Sequence, residues 1–230
     1  MRGIWFWTVM GCGSPAETGD TADTSETGDT ADTNDTADTD VPDTDLPDPN
    51  FSFFVSSTGN GANAGNLGGL AGADQKCADL AAAVGSDLEW HAYLSTSDVN
   101  ARDRIGDGPW YNAEGALIAV DVTELHADGI PAELVIDENG ETIDLVNAHD
   151  IITGASQSGG LNELGATCLD YTSNSASDYT AVGHANGGGV GDGTNSGNVP
   201  ESWNAAHLGA CDQVGAQATA GRAHIYCFGY

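Results

Sequence analysis

The stretch that decides the fold is Gly65–Ser95, GNLGGLAGADQKCADLAAAVGSDLEWHAYLS. Over Ala73–Val84 its apolar residues recur at the spacing of one helical face, and that face includes Cys77. Gly85 follows as a helix stop. Apolar and polar residues then alternate over Trp90–Ser95, which is typical of a half-buried strand. The sequence therefore predicts a helix with a cysteine on its buried face, followed by a strand.

The charge of the chain excludes several classes of ligand. The 230 residues include 35 acidic and 5 basic side chains, and the formal net charge is −30. Nucleic acids and heparin-like polyanions are not expected as partners, because binding phosphate or sulfate needs clusters of Lys and Arg. Cations, neutral glycans and basic proteins remain as candidates.

The first residues are typical of an exported protein. Arg2 precedes an apolar run, Ile4–Met10, that is too short to span a bilayer and suits a secretory signal. The sequence Val-Met-Gly-Cys ending at Cys12 resembles a bacterial lipobox, in which the cysteine is acylated. We therefore expect residues 1–11 to be a lipoprotein-type signal and Cys12 to be lipidated at the bacterial outer membrane or cell surface. A cleaved signal with an incidental cysteine is the alternative.

Residues 12–50 have a composition unlike the remainder. From residue 17 to 40 the chain repeats triplets in which an acidic residue is followed by Thr. Such a segment cannot bury enough apolar surface to offset its chain entropy, so we expect a disordered stalk that self-repulsion keeps extended. Calcium chelation by the repeat is an alternative, although its spacing is not that of an EF-hand.

Residues 51–230 are long enough to form one domain with its own core. Apart from the helix and strand above, we predict strands at 51–57, 106–111, 116–120, 142–146, 151–154, 167–172 and 223–228, and short helices at 97–104 and 122–127. The segments 106–111 and 116–120 flank a turn and should pair as a hairpin. Few helices among many short strands predict an α+β fold.

Four cysteines lie in this domain: Cys77, Cys168, Cys211 and Cys227. In an exported chain they suggest two disulfides, for which three connectivities are open. Buried free thiols are the alternative. The spacing has no CxxC pair, so a structural zinc site built from cysteines is not indicated.

The helix–strand unit and the C-terminal run from Ser202 to Phe228 resemble the endostatin (collagen NC10) domain, which belongs to the wider C-type lectin-like fold. The segments NLGGLAGAD-x-x-C, RIGDGPW and SWNAAH are also similar to those of bacterial exported proteins. The resemblance covers residues 51–230 and implies the disulfides Cys77–Cys227 and Cys168–Cys211. It further implies a non-catalytic module that recognises an extracellular glycan or protein.

Calcium-dependent lectins of this fold bind sugar through a Glu-Pro-Asn loop and a Trp-Asn-Asp strand. This chain has Val-Pro-Glu ending at Glu201, then Trp203 and Asn204 followed by Ala205 in place of the carboxylate. The usual calcium site should therefore be absent. A variant Ca²⁺ site on the preceding loop would use Asp192, Asn195, Asn198 and Glu201. The residues predicted to bind the ligand are Glu201, Trp203, Asn204, His184 and His207.

Six histidines raise the alternative of metal chemistry. His91 and His224 fall on predicted strands beside core residues and are expected to be structural. The other four, in loop-like contexts, are His126, His149, His184 and His207. Convergence of two or three of them with Asp150 would make a Zn²⁺ or general-base site. The alternative function is thus a metal-dependent hydrolase using His149, His184 and His207, and a third is a structural envelope protein.

Overall fold

The computed structural model describes residues 47–187 and 202–230, which form a mixed α+β domain. The predicted signal, the lipidation site Cys12 and nearly all of the predicted stalk lie outside the described residues, as do Asp192, Asn195, Asn198 and Glu201. Within these two ranges, no helix combines the length and apolar character needed to cross a membrane. The α+β prediction is confirmed.

The predicted helix and the strand after it are both present. Helix α1 spans Gly69–Ala83, and its buried residues Ala73, Cys77 and Ala81 recur every four positions on one face. Strand β2 spans Trp90–Ala92 with both ends buried. The helix starts earlier than predicted, because Gly68 in a left-handed conformation begins it.

The first sheet has three antiparallel strands in the order β1-β9-β2. Strand β1 is Phe53–Val55 and β9 is Tyr226–Gly229, so the first and last strands of the domain are neighbours. Phe53 and Phe54 belong to hydrophobic clusters on opposite faces. This sheet is therefore buried on both sides, with α1 covering one of them.

The central segment contains a hairpin and a short helix. Strands β3 (Trp110–Tyr111) and β4 (Leu117–Ala119) pair antiparallel, as predicted. Helix α2 (Val122–Asp128) follows, and the Asp121 side chain caps it by accepting hydrogen bonds from two backbone amides of the first turn. The predicted strand at 142–146 is wrong, because this segment forms a turn in which Asp144 accepts backbone hydrogen bonds.

The second sheet has four strands in the order β7-β6-β5-β8. Their bounds are β5 Asp150–Ile152, β6 Tyr179–His184, β7 His207–Ala210 and β8 Gly221–His224. β6 is antiparallel to both β5 and β7, whereas β8 is parallel to β5. Helix α4 (Gln213–Ala218) joins β7 to β8.

The predicted strand at 167–172 is also wrong. Cys168–Tyr171 forms a single helical turn, α3, in which all four residues have φ between 51 and 62°. These are left-handed values, which cost non-glycine residues about 1–2 kcal/mol each. The turn is fixed at both ends, by the buried Cys168 and by the Tyr171 hydroxyl, which donates to the Ser95 carbonyl over 2.7 Å.

Both predicted disulfides are confirmed. Cys77 of α1 is bonded to Cys227 of β9, and Cys168 of α3 to Cys211, which follows β7. The sulfur atoms are fully buried, so the bridges belong to the core and not to the surface. One bridge ties the helix to the first sheet, and the other ties the left-handed turn to the second sheet.

Candidate functional site

Four side chains with metal-binding chemistry meet at one end of the second sheet. Asp150 is the first residue of β5, His184 is the last of β6, and His207 is the first of β7. Because β6 runs antiparallel to both neighbours, these three positions lie at the same end. His149 immediately precedes β5.

The strand register also places three of them on one face. Asp150 is directly opposite His184, and His207 is opposite Val182, two residues before His184. Side chains two apart on a strand point to the same side, so Asp150, His184 and His207 share a face.

A single carboxylate oxygen is the centre of the cluster. Oδ1 of Asp150 lies 3.4 Å from Nε2 of His149, 3.2 Å from Nε2 of His184 and 3.4 Å from Nε2 of His207. The Asp150 side chain is 1% exposed, whereas the imidazoles are between 13 and 23% exposed. The cluster is therefore closed on the side of the carboxylate and reaches solvent on the side of the histidines.

Backbone carbonyls fix the orientation of two of the imidazoles. Nδ1 of His149 is 3.0 Å from the Leu145 carbonyl, and Nδ1 of His207 is 3.1 Å from the Leu208 carbonyl. A carbonyl oxygen only accepts, so both Nδ1 atoms must carry the proton. In the neutral form, each Nε2 then presents a lone pair toward Asp150. Two acceptors face each other unless a proton or a metal cation lies between them.

The charges in the cluster shift the pKa of two of its members. Burial by itself raises the pKa of Asp150, but hydrogen bonding by His184, His207 and Thr219 outweighs it, and the pKa lies well below the usual range. The hydrogen bond to Asp150 raises the pKa of His207, against the opposing effect of burial. The protein therefore stabilises a charged carboxylate here and attracts positive charge to it.

The backbone beside Asp150 is irregular. The pairing of β5 with β8 shifts register between Asp150 and Ile151. On the β8 side, Ala220 and Ala223 have φ values of 60 and 59°, which alanine rarely adopts. Irregular pairing and strained backbone are frequent near functional sites, where they direct side chains.

The residues fit a transition-metal ion. The ligand atoms of His149, Asp150 and His184 all lie within 4.8 Å of one another. Bonds of about 2.0–2.1 Å in a tetrahedral zinc site place ligand atoms roughly 3.3 Å apart, close to the distances from Asp150 Oδ1 to the three imidazoles. Within the described part of the chain, the partners of the buried Asp150 carboxylate are the three imidazoles and Thr219. A cation at the centre would satisfy this buried carboxylate.

The structure does not place the lectin-type residues at a surface. Trp203 and Asn204 are fully buried. The Asn204 amide donates to the Tyr93 hydroxyl over 2.9 Å and to the carbonyl of Ser156 over 3.1 Å. In this conformation neither side chain can contact a ligand, so both are core residues. Glu201, predicted with them, lies outside the described residues.

The remaining histidines are engaged elsewhere. His224 Nδ1 is 2.6 Å from the Ser56 carbonyl in the core, as expected for a structural histidine. His126 accepts from the Tyr93 hydroxyl over 2.8 Å and its Nδ1 donates to the Val122 carbonyl. His126 thus belongs to the network that holds Asn204, not to the metal-type cluster.

Comparison of the chain with protein-family models and with curated proteins returns no match. The geometry of the histidine cluster is therefore the basis for the function proposed below.

Proposed function

We propose that this domain binds a first-row transition-metal ion of the zinc class through His149, Asp150 and His184, with His207 as a further ligand or as a support for Asp150. The observation that carries the proposal is the convergence of three imidazole nitrogens on one oxygen of a buried carboxylate. A buried carboxylate is costly unless a positive charge offsets it, and a metal ion held by the neutral imidazoles would supply that charge.

The donor set indicates which metals bind. Imidazole nitrogen suits zinc, copper, nickel and iron, and the cluster offers at least two such nitrogens with one carboxylate. Calcium takes six to eight oxygen ligands, and this cluster supplies one carboxylate. At this cluster Zn²⁺ is therefore favoured over Ca²⁺. The hydrogen bonds of the other ring nitrogens support the same assignment. A histidine that binds a metal through one ring nitrogen usually donates the N–H of the other to a carbonyl, as Nδ1 of His149 and of His207 do.

A metal-dependent hydrolase is the second candidate. The supporting observation is the number of ligands. Three residues, His149, Asp150 and His184, have ligand atoms close enough to share a metal ion. Catalytic zinc sites likewise use three protein ligands and leave the fourth position for water. A zinc ion held there would supply an activated water. The chain's own contribution would be to fix the imidazoles through Leu145 and Leu208 and to keep Asp150 charged.

We further propose that the domain acts outside the cytoplasm, as a surface-anchored module of the C-type lectin-like or endostatin-like type that recognises an extracellular partner. Two buried disulfides support this setting, because such bonds persist in oxidising compartments. The pairing of the first domain cysteine with the last supports the resemblance in fold.

The test is thermal unfolding of the full chain after EDTA treatment, with zinc or calcium then added. A ligand that binds only the native state stabilises it by about 2.7 kcal/mol at a hundredfold excess over its dissociation constant. Zinc should raise the melting temperature of the wild type and should not change the melting temperature of His184→Gln. His91→Gln is the matched control, because His91 is also partly buried and contacts the carboxylate of Asp74. No shift with zinc in the wild type would refute the proposal.

The hydrolase candidate needs a separate measurement. Zinc-loaded protein is assayed for hydrolysis of a simple activated ester, and the EDTA-treated protein and His184→Gln are run beside it. Turnover that requires both zinc and His184 would support catalysis. Zinc binding without turnover would reject the hydrolase candidate and support a domain that binds metal without catalysis.

A further inference from the structure

A second candidate binding site lies in a groove that includes no member of the histidine cluster. Its volume is about 620 Å³, and its walls are Pro49, Leu88, the segment 106–111 and the segment 229–230, together with Asn50 and Ser52. An adjoining cavity of about 310 Å³ shares Pro49 and Leu88 with it. Together they suit an elongated ligand better than a compact one.

The most exposed aromatic ring of the groove is held in place. Tyr230 is 53% exposed, yet its ring stacks on His91 with centroids 5.3 Å apart and planes within 9°. Gly106, with φ of +77°, also approaches so closely that a Cβ there would lie 2.9 Å from the ring. A ring fixed in this way loses little conformational entropy when a ligand binds.

The charge of the groove favours a positively charged ligand. Asp107 is an exposed lining residue, and the described residues that form the walls include no base. Arg104, near in sequence, is committed to Asp74 by an ion pair of 2.6 Å. With a chain charge of −30, an anionic ligand would be repelled. A cation gains both from the Asp107 carboxylate and from the electron-rich surface of Tyr111 and of the exposed part of Tyr230.

We propose that this groove binds an extended segment of a basic protein, in which an Arg or Lys side chain is held by Tyr230, Tyr111 and Asp107. The presence of two adjoining cavities favours a peptide over a small amine, because the second cavity, which shares Pro49 and Leu88, would accommodate neighbouring residues of the same segment. The side chains of Pro49 and Leu88 offer apolar contact to its backbone. The site is independent of the metal-type cluster and uses none of its residues.

The test measures binding of fluorescein-labelled Gly-Arg-Gly-Arg-Gly-Arg to the full chain by fluorescence anisotropy. The acidic Asp-Thr segment is the same in every variant, so the informative quantity is the difference in affinity between variants. Tyr230→Ala and Asp107→Asn alter the groove. Tyr179→Ala and Asp98→Asn are the matched controls, since Tyr179 is 51% exposed and Asp98 is exposed, and neither lines the groove. Circular dichroism verifies that each variant is folded.

We expect Tyr230→Ala and Asp107→Asn each to weaken binding about five- to tenfold, and the controls to match the wild type. Equal losses in groove and control variants would refute the proposal, and so would an absence of binding to the wild type. Tighter binding of the corresponding glutamate peptide, or of the neutral sugar cellotriose, would also overturn it. Zinc stabilisation should be unaffected by the groove variants, so failure here is distinguishable from failure of the metal proposal.

Discussion

Nε2 of His184 lies 3.2 Å from Oδ1 of Asp150, and the two residues are directly opposite each other on antiparallel strands. The backbone register thus sets this contact, and neither residue depends on a loop to reach the other. His149 meets His184 edge to face, with ring centroids 5.0 Å apart. The sheet therefore holds Asp150 and His184 in place before a metal binds, which lowers the cost of ordering these two ligands.

Asp150→Asn should remove both metal binding and part of the stability of the metal-free protein. The loss of zinc affinity should exceed the ~10–100-fold that is lost when a ligating histidine loses its own hydrogen-bond partner. Because the folded-state pKa of Asp150 is lowered, its ionised form contributes stability above the ordinary pKa, and this is lost as pH falls. We expect the free energy of unfolding at pH 7 to fall by about 3 kcal/mol in urea titration. Asp98→Asn is the control, and unchanged zinc binding in Asp150→Asn would contradict the assignment.

Asn204→Asp should destabilise the domain severely. The Asn204 amide faces the Ser156 and Gln157 carbonyls, both at 3.1 Å, and a carboxylate there would bring acceptor against acceptor in a buried site. We expect a loss of about 3 kcal/mol or more in urea unfolding. The exposed Asn174→Asp should change stability by less than about 0.5 kcal/mol. A stable Asn204→Asp protein would show that this network is not structural.

Lys76 should make stability rise between about pH 8 and pH 9.5. Burial lowers its pKa to about 8, partly opposed by the carboxylate of Glu138, and its ammonium donates to the Thr58 carbonyl over 2.6 Å. Between that value and the ordinary 10.5, the unfolded chain binds more protons than the folded one, so the free energy of unfolding increases with pH. We expect a gain of about 1–2 kcal/mol across this interval, and none in Lys76→Met. A flat profile in the wild type would disprove the assignment.

Leu169→Gly should stabilise the protein. Leu169 has φ 53° and ψ 55° in the left-handed turn, and its side chain is 66% exposed, so glycine relieves strain while little packing is lost. We expect the free energy of unfolding, measured by thermal unfolding, to increase by about 0.5–1 kcal/mol. Leu164→Gly is the matched control, because Leu164 is 74% exposed but lacks positive φ, and its replacement should destabilise. Destabilisation of both variants to the same extent would contradict the strain at Leu169.

Local patterns in the sequence were sufficient for much of the fold. The spacing of Ala73, Cys77 and neighbouring apolar residues predicted α1, and turn residues predicted the β3–β4 hairpin. The strand prediction for 167–172 failed because it used only local composition, which suits a strand. In the structure, Cys168 and Tyr171 are fixed by distant partners. A disulfide and a buried hydroxyl contact outweigh local preference there.

The candidate site shows the same division between local and long-range information. The sequence identified His149, His184, His207 and Asp150 as residues whose convergence would matter, and it lacked the strand register that brings them together. It also assigned Trp203 and Asn204 to a ligand by resemblance, although both are buried. A short motif does not report whether its side chains are buried or exposed.

The nested disulfides affect how the protein responds to proteases. Cys168 and Cys211 both lie between Cys77 and Cys227 in the sequence, and the outer pair is 150 residues apart. A single backbone cleavage anywhere between Cys77 and Cys227 therefore leaves the two fragments covalently attached. The strands on either side of the cut remain at high effective concentration, so they can stay paired. In an environment rich in proteases, a molecule cut once within this range would therefore not lose either fragment.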